Sequence, residues 1–138
     1  MIGRVLVKVY LVEDSPVLRD RVTESIAEDD RVEMVGYADT EEAALAGITA
    51  SAPDAIILDI QLKRGNGLNV LRRLATLGLA RLPTVIVLTN YPEPEYRRRA
   101  TEAGCNFFFD KSSEFGRVGE VLGELARANA AGLSTPFA

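Results

Sequence analysis

The chain contains no histidine. That absence removes the Ser-His-Asp triad, the HExxH zinc site and any histidine general base. There is one cysteine, Cys105. One thiol cannot close an internal disulfide, and without histidine the usual Cys/His zinc site has no ligands. The composition is compatible with a reducing cytoplasm, where the protein is expected to work. Long apolar runs are also missing. Met1 to Leu11 is interrupted by Arg4 and Lys8, is too short to span a bilayer, and lacks the cleavage site of a signal peptide. Basic residues are not in excess: 16 Lys and Arg stand against 20 Asp and Glu, a net charge of −4. Sequence-independent nucleic-acid binding needs a basic surface to neutralise phosphates, so no direct nucleic-acid contact is expected, and no membrane partner. Chemistry is left to carboxylates, lysine, hydroxyls and a hard metal ion.

What is present is an alternation. The 138 residues suffice for one domain. Short β-type runs occur at Val5–Val12, Val32–Ala38, Asp54–Asp59, Thr84–Thr89 and Asn106–Asp110. The third and fourth, Ala-Ile-Ile-Leu and Val-Ile-Val-Leu, are continuously apolar, as in strands buried on both faces of a parallel sheet. Helical spacing fills the gaps. Ser15-Pro16 starts a helix with Val17, Leu18, Val22 and Ile26 as its apolar face. Thr40 with Glu41 and Glu42 starts a second. Asn66 to Leu77 forms a third, with Leu68, Leu71 and Leu74 on one side and Gly78 as its stop. Glu93 to Ala103 forms a fourth, ended by Gly104. The last runs from about Ser113 to Ala130 with Phe115, Val118, Val121, Leu122 and Leu125 as its stripe. This alternation predicts an α/β fold with a doubly wound parallel sheet. Periodicity does not set the strand order, and the flavodoxin-like (βα)5 order 2-1-3-4-5, the common one at this size, is expected. Residues 1–130 form the domain and 131–138 a short, frayed tail.

In such sheets function gathers at the carboxyl ends of the strands. The first strand ends in Glu13-Asp14, the third in Asp59, the fourth in Thr89 and the fifth in Asp110-Lys111. With strands one and three adjacent, three carboxylates converge, and uncompensated they repel. A Mg²⁺ ion relieves this with oxygen ligands, and Lys111 adds a fixed positive charge. The arrangement suits phosphoryl transfer, which rests on positioning and charge neutralisation. One of the acids can serve as covalent acceptor while the others hold the metal.

These residues sit in four stretches: Val-Tyr-Leu-Val-Glu-Asp-Ser-Pro (9–16), Ile-Ile-Leu-Asp-Ile-Gln-Leu (56–62) with Gly67-Leu68, Val-Ile-Val-Leu-Thr (85–89), and Ala-Gly-Cys-Asn-Phe-Phe-Phe-Asp-Lys-Ser (103–112). All four, in order and each at a strand end, resemble the response-regulator receiver domain of two-component signalling, over Val5 to about Ala128. The resemblance implies that Asp59 is the phosphorylated aspartate. It implies that Asp14 and Asp59 ligate Mg²⁺, that Glu13 assists through water, and that the backbone carbonyl of Gln61 is a further ligand. It implies that Lys111 pairs with the phosphoryl group, that Thr89 is the switch hydroxyl, and that Phe108 is the switch aromatic. A histidine kinase or histidine phosphotransfer protein would be the donor. The fourth-helix, fifth-strand and fifth-helix face would then rearrange for a downstream protein or for a phosphorylation-dependent homodimer. A stand-alone receiver working through protein contacts is expected.

Three positions depart from the family's commonest pattern. Lys63 stands where proline is frequent, Ser112 replaces the proline after Lys111, and Asn90 replaces a small residue after Thr89. Gln61 and Tyr91 border the site at variable positions. A runner-up is an aspartate phosphohydrolase of the haloacid dehalogenase type. That type places a second Asp two residues after its nucleophile, where Gln61 stands here, and adds a cap domain. A degenerate receiver acting as an interaction module is the other alternative. Arg97-Arg98-Arg99 reads as a solvated helix face or a partner surface, and Cys105 as a small apolar packing residue.

Overall fold

The computed structural model describes residues 5–132. Its elements are β1 (Val7–Val12), α1 (Pro16–Ala27), β2 (Val32–Ala38), α2 (Glu41–Ser51), β3 (Ala55–Leu58), α3 (Gly67–Arg73), β4 (Thr84–Thr89), α4 (Pro94–Glu102), β5 (Phe107–Asp110) and α5 (Arg117–Ala130). A 3₁₀ turn, Leu74–Thr76, follows α3. The five strands form one parallel sheet of order β2-β1-β3-β4-β5, as the sequence predicts. The order reverses between β1 and β3, so their carboxyl ends flank the switch-point crevice.

Alternation along each strand divides the core in two. Tyr10, Val12, Ile56, Leu58, Val85, Val87 and Phe108 face α2, α3 and α4, where Leu45, Ile48, Leu68, Leu71 and Ala100 meet them. Val7, Val9, Leu11, Ile57, Ile86, Leu88 and Phe109 face α1 and α5, against Val22, Ile26, Val118, Val121, Leu122 and Leu125. Every residue of β3 and β4 is buried. Each aliphatic side chain buried there contributes about 1.5–3 kcal/mol, which is why these strands tolerate no polar alternation.

The helix starts follow the capping residues. The Leu18 amide donates to Ser15 Oγ at 3.3 Å with Pro16 at the first helical position, and the Ala43 amide donates to Thr40 Oγ1 at 3.2 Å. Several sequence expectations need correction. Val17 is 71 % exposed, not part of the buried face. Leu18, Val22 and Ile26 recur every four residues and already fill that stripe, which leaves Val17 about 100° away. The third helix is α-helical only to Arg73. Thr76 Oγ1 donates to the Arg73 carbonyl at 2.6 Å and the Leu77 amide to Leu74 O at 3.2 Å, which tightens the last turn. The fifth helix starts at Arg117 rather than near Ser113. Asp110 Oδ1 accepts from the Ser112 amide and hydroxyl, holding that stretch as a turn, and Phe115 precedes the helix with the Arg21 guanidinium over its ring. The first strand starts at Val7, and Val5 is exposed. Gly78 and Gly104 take positive φ where helix stops were expected. The Lys111–Ser112 peptide is trans, as are all those described. Among the described residues no helix is long and apolar enough to cross a membrane. The tail expected to fray, 131–138, lies mostly outside the described residues.

Candidate functional site

Each strand end hands the next site residue its backbone position. The Glu13 amide donates to Ala38 O of β2, the Asp59 amide to Val12 O of β1 and the Lys111 amide to Thr89 O of β4, all at 2.9 Å. The backbone amides of three residues far apart in sequence are thereby anchored to the sheet. Their side chains meet. Lys111 Nζ lies 2.8 Å from Glu13 Oε1 and 2.9 Å from Asp59 Oδ2, with all three side chains at most 8 % exposed. Glu13 Oε2 accepts from the Ser15 amide at 3.0 Å, and the Glu13 carbonyl accepts from Arg19 at 3.1 Å.

Carboxylate oxygens of Glu13, Asp14 and Asp59 lie within 4.8 Å of one another, with Asp14 on the more open side. One lysine therefore faces three acids. Burial, the largest influence, pushes the Asp59 carboxyl above the ordinary carboxylate range, against the lowering effect of Lys111. Burial does the same at Glu13, reinforced by the charge of Asp59 and opposed by Lys111. Lys111 is itself held above its ordinary value, its two carboxylate partners outweighing its own desolvation. One oxygen stands out. Among the described residues, Asp59 Oδ1 is buried and has no hydrogen-bond partner. Buried carboxylate oxygens are normally satisfied. An unpaired one among three converging carboxylates fits a hard divalent cation such as Mg²⁺, which prefers a few carboxylates and retained waters.

Thr89 is fully buried at the end of β4, and its Oγ1 accepts from the Tyr91 amide at 3.0 Å. Gln61 lies on the exposed loop after Asp59. Its backbone bridges to Asn66, and its amide favours the ionised form of Asp59. Phe108 is 6 % exposed. The Arg97 guanidinium sits 4.6 Å from its ring centroid and donates to its carbonyl at 3.2 Å. The Arg97–Arg99 run is thus no uniform solvated face. Arg98 and Arg99 pair with Glu102 and Glu95 one turn away, while Arg97 turns onto β5. Asp110 stays out of the acid cluster and caps the following turn.

Two contributors are not evident from the pattern. A side chain at Gly67 would collide with the Asp59 carbonyl, so only glycine lets α3 start against the loop that follows Asp59. The second is Glu41, whose carboxylate receives bonds from that loop and from α3. A glycine in the motif is visible in the sequence, but what it must avoid is visible only in three dimensions.

The family model described as response regulator receiver domain matches residues 9–122. Among curated proteins, the DNA-binding transcriptional activator DevR/DosR of Mycobacterium tuberculosis is 33 % identical over 126 residues, covering 89 % of this chain and 52 % of that protein. A protein-glutamate methylesterase/protein-glutamine glutaminase of Syntrophus aciditrophicus is 33 % identical over 112 residues, covering 78 % of this chain and 31 % of that one. The chain thus spans about a third to a half of the length of these relatives. Among solved structures, the signal receiver domain of the response regulator NarL from Mycobacterium tuberculosis superposes with a TM-score of 0.80 at 26 % identity, covering 91 % of this chain and 98 % of that one. The response regulator domain of Thermotoga maritima CheB superposes at 0.76 with 24 % identity, covering 92 % and 98 %.

Proposed function

The chain belongs to the response regulator receiver domain family, and from that premise we propose that it is a phosphorylation-dependent switch whose acceptor is Asp59. The observation that carries this is Lys111 Nζ bridging Asp59 Oδ2 and Glu13 Oε1 while Asp59 Oδ1 stays buried and unpaired. In the proposed reaction an Asp59 oxygen forms a bond to phosphorus as the phosphorus–nitrogen bond of a phosphohistidine breaks. The imidazole leaves with the electron pair and takes up a proton. The histidine belongs to a kinase or phosphotransfer protein, since this chain has none. Lys111 keeps its ammonium beside the transferred group and offsets its charge. Glu13, Asp14, Asp59 and the Gln61 carbonyl would hold Mg²⁺, which supplies charge neutralisation at the phosphoryl oxygens when bound.

The switch follows from the added charge. Thr89 exchanges its bond from the Tyr91 amide for one to a phosphoryl oxygen, and Phe108 with the α4-β5-α5 face responds. That shifts a two-state population toward a form recognised by a downstream protein or a second copy of the chain. Residues 1–130 constitute the receiver, acting in the cytoplasm by protein contacts without touching nucleic acid directly. Gln61 in place of a second acid disfavours the phosphohydrolase alternative.

Intact mass after incubation with acetyl phosphate and Mg²⁺ tests the proposal. One phosphoryl adduct is expected, dependent on the metal and lost in Asp59→Asn. No adduct in either protein, together with no Mg²⁺ binding by titration, would favour the degenerate-receiver reading.

A further inference from the structure

The loop from Ile60 to Asn66 joins Asp59 to α3 and contains no proline, so no covalently fixed φ stiffens it. Its stiffness comes from the start of α2. The Lys63 amide donates to Asp39 O at 3.2 Å, and the Glu41 amide to Arg64 O at 2.9 Å. Thr40 bridges Arg64 in parallel. The Glu41 side chain then closes over the loop. Its Oε1 accepts from the Asn66 amide at 3.1 Å and from Asn69 Nδ2 at 3.4 Å, and its Oε2 from Arg73 at 3.0 Å. Gly65 is left-handed at φ +85°, and a side chain there would collide with Glu41. The neighbouring Glu42 pairs with the same arginine but is 79 % exposed, against 15 % for Glu41. Only Glu41 is built into the loop.

From Glu41 a line of direct contacts reaches the acceptor. Asn66, its amide held by Glu41, caps α3 by accepting from the Leu68 amide at 2.6 Å. The next residue, Gly67, donates to Ile60 O at 2.7 Å and packs on the Asp59 carbonyl. We propose that Glu41 is a positioning residue for phosphoryl acceptance: its Oε1, through the Asn66 amide, holds the loop that fixes Asp59. The inference rests on reading Asp59 as the acceptor. It touches no reacting atom. Its effect is on the geometry of attack, where small misplacements are costly in rate.

The test compares phosphorylation rate constants with acetyl phosphate and Mg²⁺, well below the melting temperature, in wild type, Glu41→Ala, Glu41→Gln and Arg73→Ala. Glu41→Ala is expected to be about tenfold slower. Glu41→Gln keeps an acceptor at Oε1 and is expected within about twofold of wild type, as is Arg73→Ala, which keeps the Asn66 bond. A merely stabilising residue would lower the melting temperature and leave the rate constant alone. Wild-type rate in Glu41→Ala, or Glu41→Gln as slow as the alanine variant, would overturn the proposal. Should Glu41→Ala fail to fold, hydrogen exchange at the Asn66 amide decides: protection is expected in wild type and a loss of it in Glu41→Gln beyond threefold is not. If an adduct forms equally in Asp59→Asn, the acceptor reading has failed instead, and the Asn66 exchange still judges whether Glu41 holds the loop.

Discussion

Replacing Asp59, the proposed acceptor, should make the metal-free protein more stable. Asp59 is buried, and its carboxylate lies within 4.8 Å of those of Glu13 and Asp14. At an effective dielectric near 20, a like-charge pair at that distance costs about 3 kcal/mol, less for the more open Asp14. The Lys111 ammonium at 2.9 Å returns about 6 kcal/mol on the same scale. Repulsion from two acids roughly cancels attraction to one lysine. The desolvation of the carboxylate is left over, in agreement with the raised Asp59 pKa and its leading cause. Asparagine keeps the shape, removes the charge and offers an amide donor toward the neighbouring acids, while Lys111 retains Glu13. In chelator, Asp59→Asn is therefore expected to gain about 1–2 kcal/mol, or a rise in melting temperature of roughly 3–8 °C for a domain of this size. Mg²⁺ should reverse the order. A ligand at a hundredfold excess over its dissociation constant stabilises by about 2.7 kcal/mol, and the variant, short of one ligand, should gain much less. Thermal melts of both proteins in chelator and in Mg²⁺ check this. An Asp59→Asn protein that melts below wild type in chelator would refute the reasoning, because the carboxylate would then be a net stabilising partner of Lys111.

The same acids set a pH dependence. The folded-state pKa values of Glu13 and Asp59 lie above their ordinary ones, so the folded state binds protons first as pH falls, and between the ordinary and raised values the metal-free protein should gain stability with falling pH. Across that window Mg²⁺ affinity should fall as protons compete, which titration calorimetry at several pH values measures; affinity indifferent to pH would count against a carboxylate site. The raised Lys111 contributes in the opposite range, its stabilisation present below its ordinary pKa and lost as pH rises through the folded value. Gly67→Ala forces a side chain against the Asp59 carbonyl and should cost about 1–3 kcal/mol with severe loss of phosphorylation; a wild-type rate would show that the loop yields freely. Arg97→Ala removes both the contact over the Phe108 ring and the bond to its carbonyl, and a loss of about 1–2 kcal/mol in denaturant unfolding is expected, more than for Arg98→Ala, whose exposed pair is worth under about 1 kcal/mol.

The sequence makes the fold legible because a parallel sheet covered on both faces leaves a strong signal. Ala-Ile-Ile-Leu and Val-Ile-Val-Leu are read as central strands and lie at β3 and β4 with every residue buried. The site acids and lysine are legible for a related reason, since each directly follows a strand and strand ends converge. Less legible is anything set by phase or by partners distant in sequence. Val17 fits an apolar pattern yet faces solvent, because Leu18 sets the phase. Ser113 looks like a helix start, but Asp110 captures the preceding turn. The roles of Glu41 and Arg97 depend on Asn66 and Phe108, contacts across 25 and 11 residues that no local periodicity records. Asp59 and Lys111 lie 52 residues apart, and linking them takes the strand order, which periodicity does not supply.

The way these residues are held also says which of them can move. The backbones of Glu13, Asp59 and Lys111 hang from the last carbonyls of neighbouring strands, so displacing any of them breaks a sheet bond. The Thr89 hydroxyl is held differently, by one bond from the Tyr91 amide within its own loop. A typical hydrogen bond is worth about 1 kcal/mol net, and one to a charged group about 1.5–3 kcal/mol. In the proposed switch, Thr89 would turn to donate its hydroxyl proton to a phosphoryl oxygen on Asp59, a gain that outweighs the bond it accepts from the Tyr91 amide and leaves the frame that holds the acids and lysine undisturbed. The freed Tyr91 amide would then loosen the segment leading into α4, and α4 carries Arg97, which grips Phe108. A charge at one strand end can thus reach the aromatic on β5 through the loop and helix between them. The backbone amide of Tyr91 should accordingly exchange faster in the phosphorylated protein than in Asp59→Asn treated alike, and equal exchange would mean that Thr89 does not change partner.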